Sequence, residues 1–479
     1  MKRTAFFLAL FLTTALSAQN LVSTTLLGTK TQSQLLSTFG VPFIQYGVKY
    51  YRITYTTTDV QNALDTVSGL LVVPNNPNKI FPRVVYQHGT SGSKNDVPSF
   101  TTNGGEGQVG LLFGGLGYVA LLPDYLGLGV SDGFHPYVHA ASEASVALDM
   151  LRAETAFEAL NPVLTNDQLF ITGYSQGGHA AMALHRNIEQ EHADEFTVTA
   201  AAPLSGPYSL SGAMRHLILT DTVYYYPAYI PNTALSFQTV YGNIFTQMTD
   251  IFKPVYANLI TPFFNGTKTL SALNTQLITA LTNNEGSCRP YRMLQDSVVQ
   301  AISNDPNHPI NVALRANDTY NNWTPQAPMR LFYCMADDQV PFMNSIIARD
   351  TLTAAGAPDF LASDVNPAAD HGDCFDPAMT STVLFFLGFQ QIGTVSTSDP
   401  SEKDRLEMAP NPAHDVLTVK NLPKDGMLEI LDYQGKRMFS ARVQAGNTTL
   451  QLTDVPNGIY VAKYSAGGVM RMERLVIQK

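Results

Sequence analysis

The first 400 residues contain short apolar runs separated by turn residues, and between them lie longer stretches with helical periodicity. Eight runs predict strands: Tyr51–Thr57, Thr66–Val73, Arg83–Gln87, Tyr118–Pro123, Gln168–Gly173, Phe196–Pro203, Met329–Met335 and Phe360–Val365. The middle runs are continuously apolar, which is typical of parallel strands covered on both faces. Two stretches, 140–160 and 177–191, predict helices. This alternation predicts an α/β fold with a mostly parallel eight-stranded sheet.

The alternation stops between Pro207 and about Pro328, where the pattern indicates several short helices rich in aromatic residues. An insertion of this length is typically functional, and we expect a helical cap over 207–328. A polar linker is predicted at 392–408. From Ala409 onward, short alternating strands with turn residues predict a separate small β-sandwich over 409–479.

The N-terminus has the order of a secretory signal peptide. Lys2 and Arg3 precede the apolar run Phe6–Leu12, and small residues follow up to Ala18. We expect cleavage after Ala18, which leaves 19–391 as the catalytic domain. No other run approaches the roughly 20 apolar residues of a membrane span, so we expect a soluble, monomeric mature protein.

The net charge is −10, which argues against a nucleic acid or an anionic membrane as partner and favours small neutral substrates. The chain has three cysteines, so an exported form has at most one internal disulfide. Cys334 lies in a strand-like run and is expected to be a buried apolar residue, which leaves Cys288 and Cys374 as the predicted pair. The cysteines are spread too widely for a zinc site, and we assign no metal and no cofactor.

The candidate nucleophile is Ser175. The segment Gly173–Gly177 reads Gly-Tyr-Ser-Gln-Gly, follows an apolar strand and opens a helix. That context is the one required by the nucleophile elbow of the α/β-hydrolase fold. The glycines allow the sharp turn, where a β-carbon would collide with the neighbouring strand and helix. A Gly-x-Ser-x-Gly match can also occur by chance, so its weight comes from this context.

The fold presents its triad in the order serine, acid, histidine. Three of the ten histidines precede Ser175, three lie on the following helix facing away from it or toward solvent, two lie in the insertion and one in the C-terminal domain. His371, just after the last predicted strand, remains as the general base. The predicted acid is Asp337, chosen by its spacing from Val340, and Asp338 is the alternative. The carboxylate outside the triad would cap a turn or helix.

An oxyanion needs two donors. The backbone N–H of Gln176 lies at a helix start, where the dipole also favours negative charge. The second donor is assigned to Thr90, in the Gly-rich loop after the third predicted strand, with Gly89 allowing close approach. The alternative is a turn with no catalytic role.

Most of 45–391 resembles the secretory lipases of the fungal lipase A type. The matching segments are Gly117–Gly129, Leu148–Ala153, Gly173–Ala180 and Ala336–Pro341. The resemblance implies a helical cap between the sixth and seventh strands of the fold and hydrolysis of acylglycerols and other esters. The chain departs from the fungal pattern around 88–90 and through most of the cap.

The last 70 residues resemble the type A sorting domain of the Bacteroidetes type IX secretion system. The matching pieces are Ala409–Pro412, Leu428–Lys436, Asn457–Tyr460 and Arg474–Ile477. The resemblance implies that the type IX machinery is a partner. It also implies export through the periplasm to the cell surface or medium.

These patterns predict a secreted serine hydrolase that cleaves carboxylic esters through an acyl-enzyme on Ser175, with an aromatic cap forming an acyl pocket. One alternative is a serine peptidase of the same fold. It is disfavoured because no upstream segment is long enough for a propeller and the cap lacks an obvious carboxylate pair for a peptide amino terminus. Another is a non-catalytic surface binding protein, which a fluorophosphonate probe would distinguish from both enzymes.

Overall fold

The computed structural model describes residues 20–161, 163–395, 406–432, 436–466 and 469–479. The chain forms two compact units, and the boundary between them lies after Thr394. The predicted signal peptide at 1–18 lies outside the described residues, as do most of the predicted linker and the centre of the turn at 432–436.

A ten-stranded sheet forms the centre of the first unit, as far as the described residues show. Its strands are β1 (Leu21–Lys30), β2 (Val48–Thr58), β3 (Leu64–Pro74), β4 (Lys79–Gln87), β5 (Val119–Pro123), β6 (Thr165–Tyr174), β7 (Val198–Leu204), β8 (Met329–Tyr333), β9 (Phe360–Asp364) and β10 (Gly393–Thr394). The order is β1-β2-β3-β5-β4-β6-β7-β8-β9, with β10 paired to β4. The strands from β5 to β9 in that order are parallel, and β1, β2, β3 and β10 pair antiparallel. The predicted fold class is therefore confirmed.

Two strands of this sheet were not predicted. The strand β1 is rich in serine and threonine, and most of its side chains are exposed. It lies at the edge of the sheet and, among the described strands, pairs with β2 alone, so its sequence has no continuous apolar run. The two-residue strand β10 lies beyond the expected domain end at Gln391, and its pairing with β4 extends the first unit to Thr394.

Helices cover both faces of the sheet. Those outside the insertion are α1 (Gln32–Phe39), α2 (Gly107–Gly115), α3 (Ala140–Glu158), α4 (Gln176–Glu191), α11 (Met343–Ala354) and α12 (Phe375–Leu387). Alternate residues of each central strand point to opposite faces. Ile171 of β6 packs with Met150 of α3 in one apolar cluster, and its neighbour Phe170 packs with Phe113 of α2 and Phe386 of α12 in the other. The continuously apolar strands are thus buried from both sides.

The insertion between β7 and β8 is a helical cap. Its helices are α5 (Arg215–Leu219), α6 (Tyr229–Tyr241), α7 (Pro254–Phe264), α8 (Leu270–Glu285), α9 (Asp296–Asn304) and α10 (Pro309–Ala316). Leu273, Leu277 and Leu281 recur every four residues on one buried face of α8. They pack with Phe252 and Tyr256, so the cap has a core of its own.

The second unit is a small β-sandwich. Its described strands are β11 (Glu407–Ala409), β12 (Val416–Leu422), β13 (Gly426–Leu431), β14 (Arg437–Val443), β15 (Gly446–Gln451), β16 (Gly458–Ala466) and β17 (Val469–Ile477). They form a three-stranded sheet, β11-β12-β15, and a four-stranded sheet, β14-β13-β16-β17. Leu417, Val419, Ile430 and Tyr464 belong to one buried cluster. Among the described residues of the whole chain, no helix has the length and apolar character that crossing a bilayer requires.

Candidate active site

Ser175 lies at the sharp turn between β6 and α4. Its φ of 60° and ψ of −122° are rare for a residue with a side chain, and such strain concentrates at functional sites. A β-carbon on Gly173 would collide with the carbonyl oxygen of Gly177, and one on Gly177 would collide with that of Gln87. Both positions therefore require glycine, as the elbow interpretation expects.

His371 contacts both candidate acids. Its Nδ1 lies 2.7 Å from Oδ2 of Asp337, whose side chain is 1% exposed. The other oxygen of Asp337 accepts hydrogen bonds from the backbone N–H groups of Val340, at 2.8 Å, and Gln339, at 3.0 Å. Asp338 instead accepts from the backbone N–H of His371 at 3.2 Å. Asp337 is thus the carboxylate that contacts the imidazole, while Asp338 holds the loop that carries it.

Tyr174 connects the elbow to the histidine loop. Its ring centroid lies 5.0 Å from that of His371, and its hydroxyl donates to the His371 carbonyl. Burial raises the pKa of Tyr174, so the hydroxyl stays neutral and can donate. The three residues predicted as a triad follow the carboxyl ends of β6, β8 and β9, and these ends meet at one edge of a parallel sheet.

The predicted disulfide between Cys288 and Cys374 is wrong. Cys374 pairs with Cys334, and Cys288 is a buried free thiol. Cys334 directly follows β8, where the parallel sheet brings the loop after β9 within reach, with 5.9 Å between the two Cα atoms. Asp337 comes shortly after Cys334 in the chain, and His371 comes shortly before Cys374. The bond therefore ties together the two loops of the acid–histidine contact.

Of the two predicted oxyanion donors, Gln176 belongs to the elbow and Thr90 to a loop packed against it. Gln176 is the first residue of α4, so its backbone N–H belongs to the helical turn that lacks intrahelical acceptors. Thr90 follows β4, and its hydroxyl donates to Tyr137 Oη at 3.2 Å. A β-carbon on Gly89 would lie 3.4 Å from the carbonyl oxygen of Tyr174, so the Thr90 loop runs against the elbow.

Sequence reasoning missed a carboxylate that fixes this loop. Both oxygens of Glu106 lie 2.9 Å from the backbone N of Gly89, and the Tyr86 hydroxyl donates to the same carboxylate. Glu106 precedes α2 without capping it through its side chain. In sequence it resembles an ordinary acidic residue before a helix, so no signal pointed to its role.

A narrow cavity lies where the cap meets the first unit's core, beside the Thr90 and Asp337 loops. Its lining includes Tyr137, Leu210, Met214, Tyr229, Ile230 and Val340. The Tyr137 and Tyr229 rings stack at 6.2 Å, and the Tyr229 hydroxyl donates to the Gln339 side chain at 2.8 Å. The cavity wall is therefore anchored to the loops that carry Thr90 and Asp337. Within the part of the chain that the structure describes, no group of three or more His, Cys, Asp or Glu side chains is arranged to hold a metal ion.

Comparison with known proteins gives a family match for the second unit and similar solved structures for the first. Residues 407–478 match the family described as the secretion system C-terminal sorting domain. No curated protein sequence matches the chain.

Solved structures resemble the first unit. The rice cell wall degrading esterase LipA from Xanthomonas oryzae is 25% identical, with a TM-score of 0.66, 78% of this chain covered and 97% of LipA. A candidate hydrolase from Legionella pneumophila is 26% identical, with a TM-score of 0.69 and coverage of 77% and 98%. The closed state of Candida antarctica lipase A is 14% identical, with a TM-score of 0.58 and coverage of 77% and 82%, and it shows the fold alone. The chain therefore combines a lipase- and esterase-like hydrolase fold with a type IX secretion sorting domain.

Proposed function

We propose that the protein is an exported serine hydrolase that cleaves carboxylic esters, with Ser175 as nucleophile, His371 as general base and Asp337 as the acid of the triad. The observation that carries the proposal is the 2.7 Å contact between His371 and Asp337. Tyr174 links this pair to the strained turn at Ser175.

The chemistry follows from this arrangement. Asp337 accepts the Nδ1 proton of His371, which leaves Nε2 as the base that takes the proton of Ser175 Oγ. Oγ attacks the ester carbonyl carbon, and the backbone N–H groups of Gln176 and Thr90 stabilise the oxyanion. His371 gives the proton to the departing alcohol. A water molecule, activated by the same histidine, then hydrolyses the acyl-enzyme and restores Ser175.

The acyl group is assigned to the cavity lined by Tyr137, Tyr229 and Ile230. Its walls are mainly apolar, and it borders the loops of Thr90 and Asp337. An ester bound with its carbonyl at Ser175 could place an acyl chain there. LipA is named as an esterase, which favours ester over peptide hydrolysis.

The second unit is assigned to export. Its match to the sorting-domain family supports delivery to the cell surface or medium by the type IX machinery. We place its route through the periplasm, after removal of the signal peptide at 1–18.

Two measurements on the purified protein test the enzymatic proposal. A fluorophosphonate probe is expected to form one adduct, mapped to Ser175 by peptide mass spectrometry. Turnover of p-nitrophenyl esters across an acyl-chain series is expected to show a length preference set by the cavity. Labelling with hydrolysis of peptides but not of esters would instead support the peptidase. Absence of both labelling and turnover would support the alternative of a non-catalytic surface binding protein.

A further inference from the structure

A buried acid–histidine pair lies directly behind the elbow, separate from the proposed triad. Glu143 in the first turn of α3 and His179 in the first turn of α4 have side chains that are 1% and 0% exposed. Glu143 Oε2 lies 2.7 Å from His179 Nδ1, and His179 Nε2 lies 2.8 Å from the carbonyl oxygen of Asn317. Both ring nitrogens of His179 therefore face an oxygen atom, one from the Glu143 carboxylate and one from the backbone.

The other oxygen of Glu143 holds the side chain of Gln176. Gln176 Nε2 lies 2.9 Å from Glu143 Oε1 and 2.8 Å from His135 Nε2. Burial lowers the pKa of His135 to about 4, so its ring is neutral at pH 7. Its Nδ1 donates to the carbonyl of Leu126 at 2.8 Å, which leaves Nε2 to accept from the amide. Both amide hydrogens of Gln176 are thus used.

Stability alone does not account for this pair. Removing a carboxylate and its polar partner from water is costly, and replacing such a buried pair by apolar residues of similar volume is often neutral or stabilising. Gln176 also supplies the backbone N–H that the proposed function assigns to the oxyanion. A group that fixes Gln176 therefore fixes a donor whose position decides the stability of the transition state.

We propose that Glu143 is a positioning residue for the oxyanion hole, which it holds through the side chain of Gln176. The inference rests on the proposed function. The side chain of Glu143 contacts Gln176 and His179, so it acts on the reaction through Gln176 and is not itself a catalytic residue. Because stabilisation by an oxyanion donor is realised in the transition state, loosening Gln176 lowers kcat and leaves KM nearly unchanged.

The chain offers a matched control on the same helix. Glu154 is also fully buried, and it pairs with Arg83 at 2.7 Å. It lies eleven residues further along α3, about 16 Å at the rise of a helix. Its replacement disturbs a buried ion pair of α3 without touching Gln176.

The first experiment compares Glu143→Gln with Glu154→Gln on p-nitrophenyl butyrate. Glu143→Gln replaces the carboxylate oxygen that faces the Gln176 amide by an amide oxygen, and hydrogen bonds to an ionised acceptor are roughly twice as strong as neutral ones, so the Gln176 side chain is held less tightly. We expect kcat of Glu143→Gln to fall about 10- to 100-fold with KM within about twofold of wild type, since small misplacements cost up to about 10² in rate. Affinity for an alkylboronic acid, which mimics the tetrahedral intermediate, should fall in parallel. Glu154→Gln should lower the melting temperature and keep kcat.

A double-mutant cycle with Gln176→Met tests whether Glu143 affects kcat through the side chain of Gln176. Methionine keeps the backbone N–H and the Glu143–His179 pair but removes the amide, so this variant also tests the positioning role if Glu143→Gln does not fold. We expect Gln176→Met to lower kcat about tenfold, and Glu143→Gln added to it to cost less than about threefold more. Wild-type kcat in Gln176→Met, or additive effects in the cycle, would overturn the inference.

The outcomes for the inference and for the proposed function can be told apart. A wild-type protein without ester turnover contradicts the proposed function itself. Wild-type turnover with unchanged kcat and boronate affinity in both Glu143→Gln and Gln176→Met contradicts only the role of Glu143, and would leave the buried pair as a structural contact.

Discussion

The interiors of the two units differ in chemistry. Among its described residues, the first unit buries eight ionisable side chains of the acid and histidine types: His88, Asp124, Glu143, Glu154, His179, His185, Asp318 and His371. In the second unit, every buried residue among those described is aliphatic or tyrosine. A buried ionisable group costs stability unless it is paired. The first unit therefore keeps polar groups inside where they can shape a reaction, whereas the second needs only a stable fold.

Replacing Ser175 by alanine tests this difference most strongly, because it removes the proposed nucleophile and leaves the buried polar groups in place. We expect ester hydrolysis to fall by about 10⁴- to 10⁶-fold, since the triad acts as a unit. The melting temperature should change little, because the substitution removes a single hydroxyl group and keeps the β-carbon of a buried residue. Steady-state kinetics and calorimetry measure both. Activity above a tenth of wild type would remove Ser175 as the nucleophile.

Replacing the neighbouring carboxylates Asp337 and Asp338 in turn should give the next largest effect on ester hydrolysis. Asp337→Asn should lower kcat by about 10⁴-fold, because the amide cannot hold His371 in the tautomer that the base requires. Asp338→Asn should lose less than about tenfold, since an amide oxygen can still accept the His371 backbone N–H. The same ester assay measures both variants. The reverse order of effects would make Asp338 the acid.

Removing the disulfide should have an intermediate effect on stability and activity. The double variant Cys334→Ala with Cys374→Ala should lose about 2–4 kcal/mol of unfolding free energy, the range typical of a native bond. It should also lose activity, because the bond ties the Asp337 and His371 loops together. Cys288→Ala, which removes the buried free thiol, is the matched control and should keep its activity. Non-reducing peptide mapping that places Cys288 in a disulfide would contradict this pairing.

The sequence predicted the features that depend on local pattern or on chain order, namely the apolar strands and the acid–histidine pair. All eight strands predicted from the sequence occur in the sheet. The central parallel strands among them are continuously apolar because they are buried on both faces, whereas β2 and β3 pair antiparallel. The serine- and threonine-rich strand β1 was missed, since its pairing with β2 rather than burial makes it a strand. The acid and histidine were placed by chain order, and the structure brings Asp337 and His371 into contact.

The disulfide and the Glu143–Gln176 contact were not predicted, because both depend on residues that are distant in the sequence. Cys334 and Cys374 meet because β8 and β9 pair in parallel, whereas the strand-like run around Cys334 had indicated a buried apolar residue and so led to the wrong pair. Glu143 lies in an Ala-rich helix, and its contact with Gln176 spans 33 residues of chain. Its partner His179 lies on a helix face that the sequence could not distinguish from a solvent-facing one, and it is fully buried.

Deleting residues 405–479 should have the smallest effect on catalysis and the largest on location. The shortened chain keeps β10, whose pairing with β4 completes the first unit at Thr394, and every proposed catalytic residue. Since each unit has its own apolar core, ester turnover of the purified protein should match wild type within about twofold. In a host with type IX secretion, the protein should remain in the periplasm, as cell fractionation would measure. An insoluble or inactive product would make the β-sandwich part of the enzyme, and delivery to the medium would contradict its sorting role.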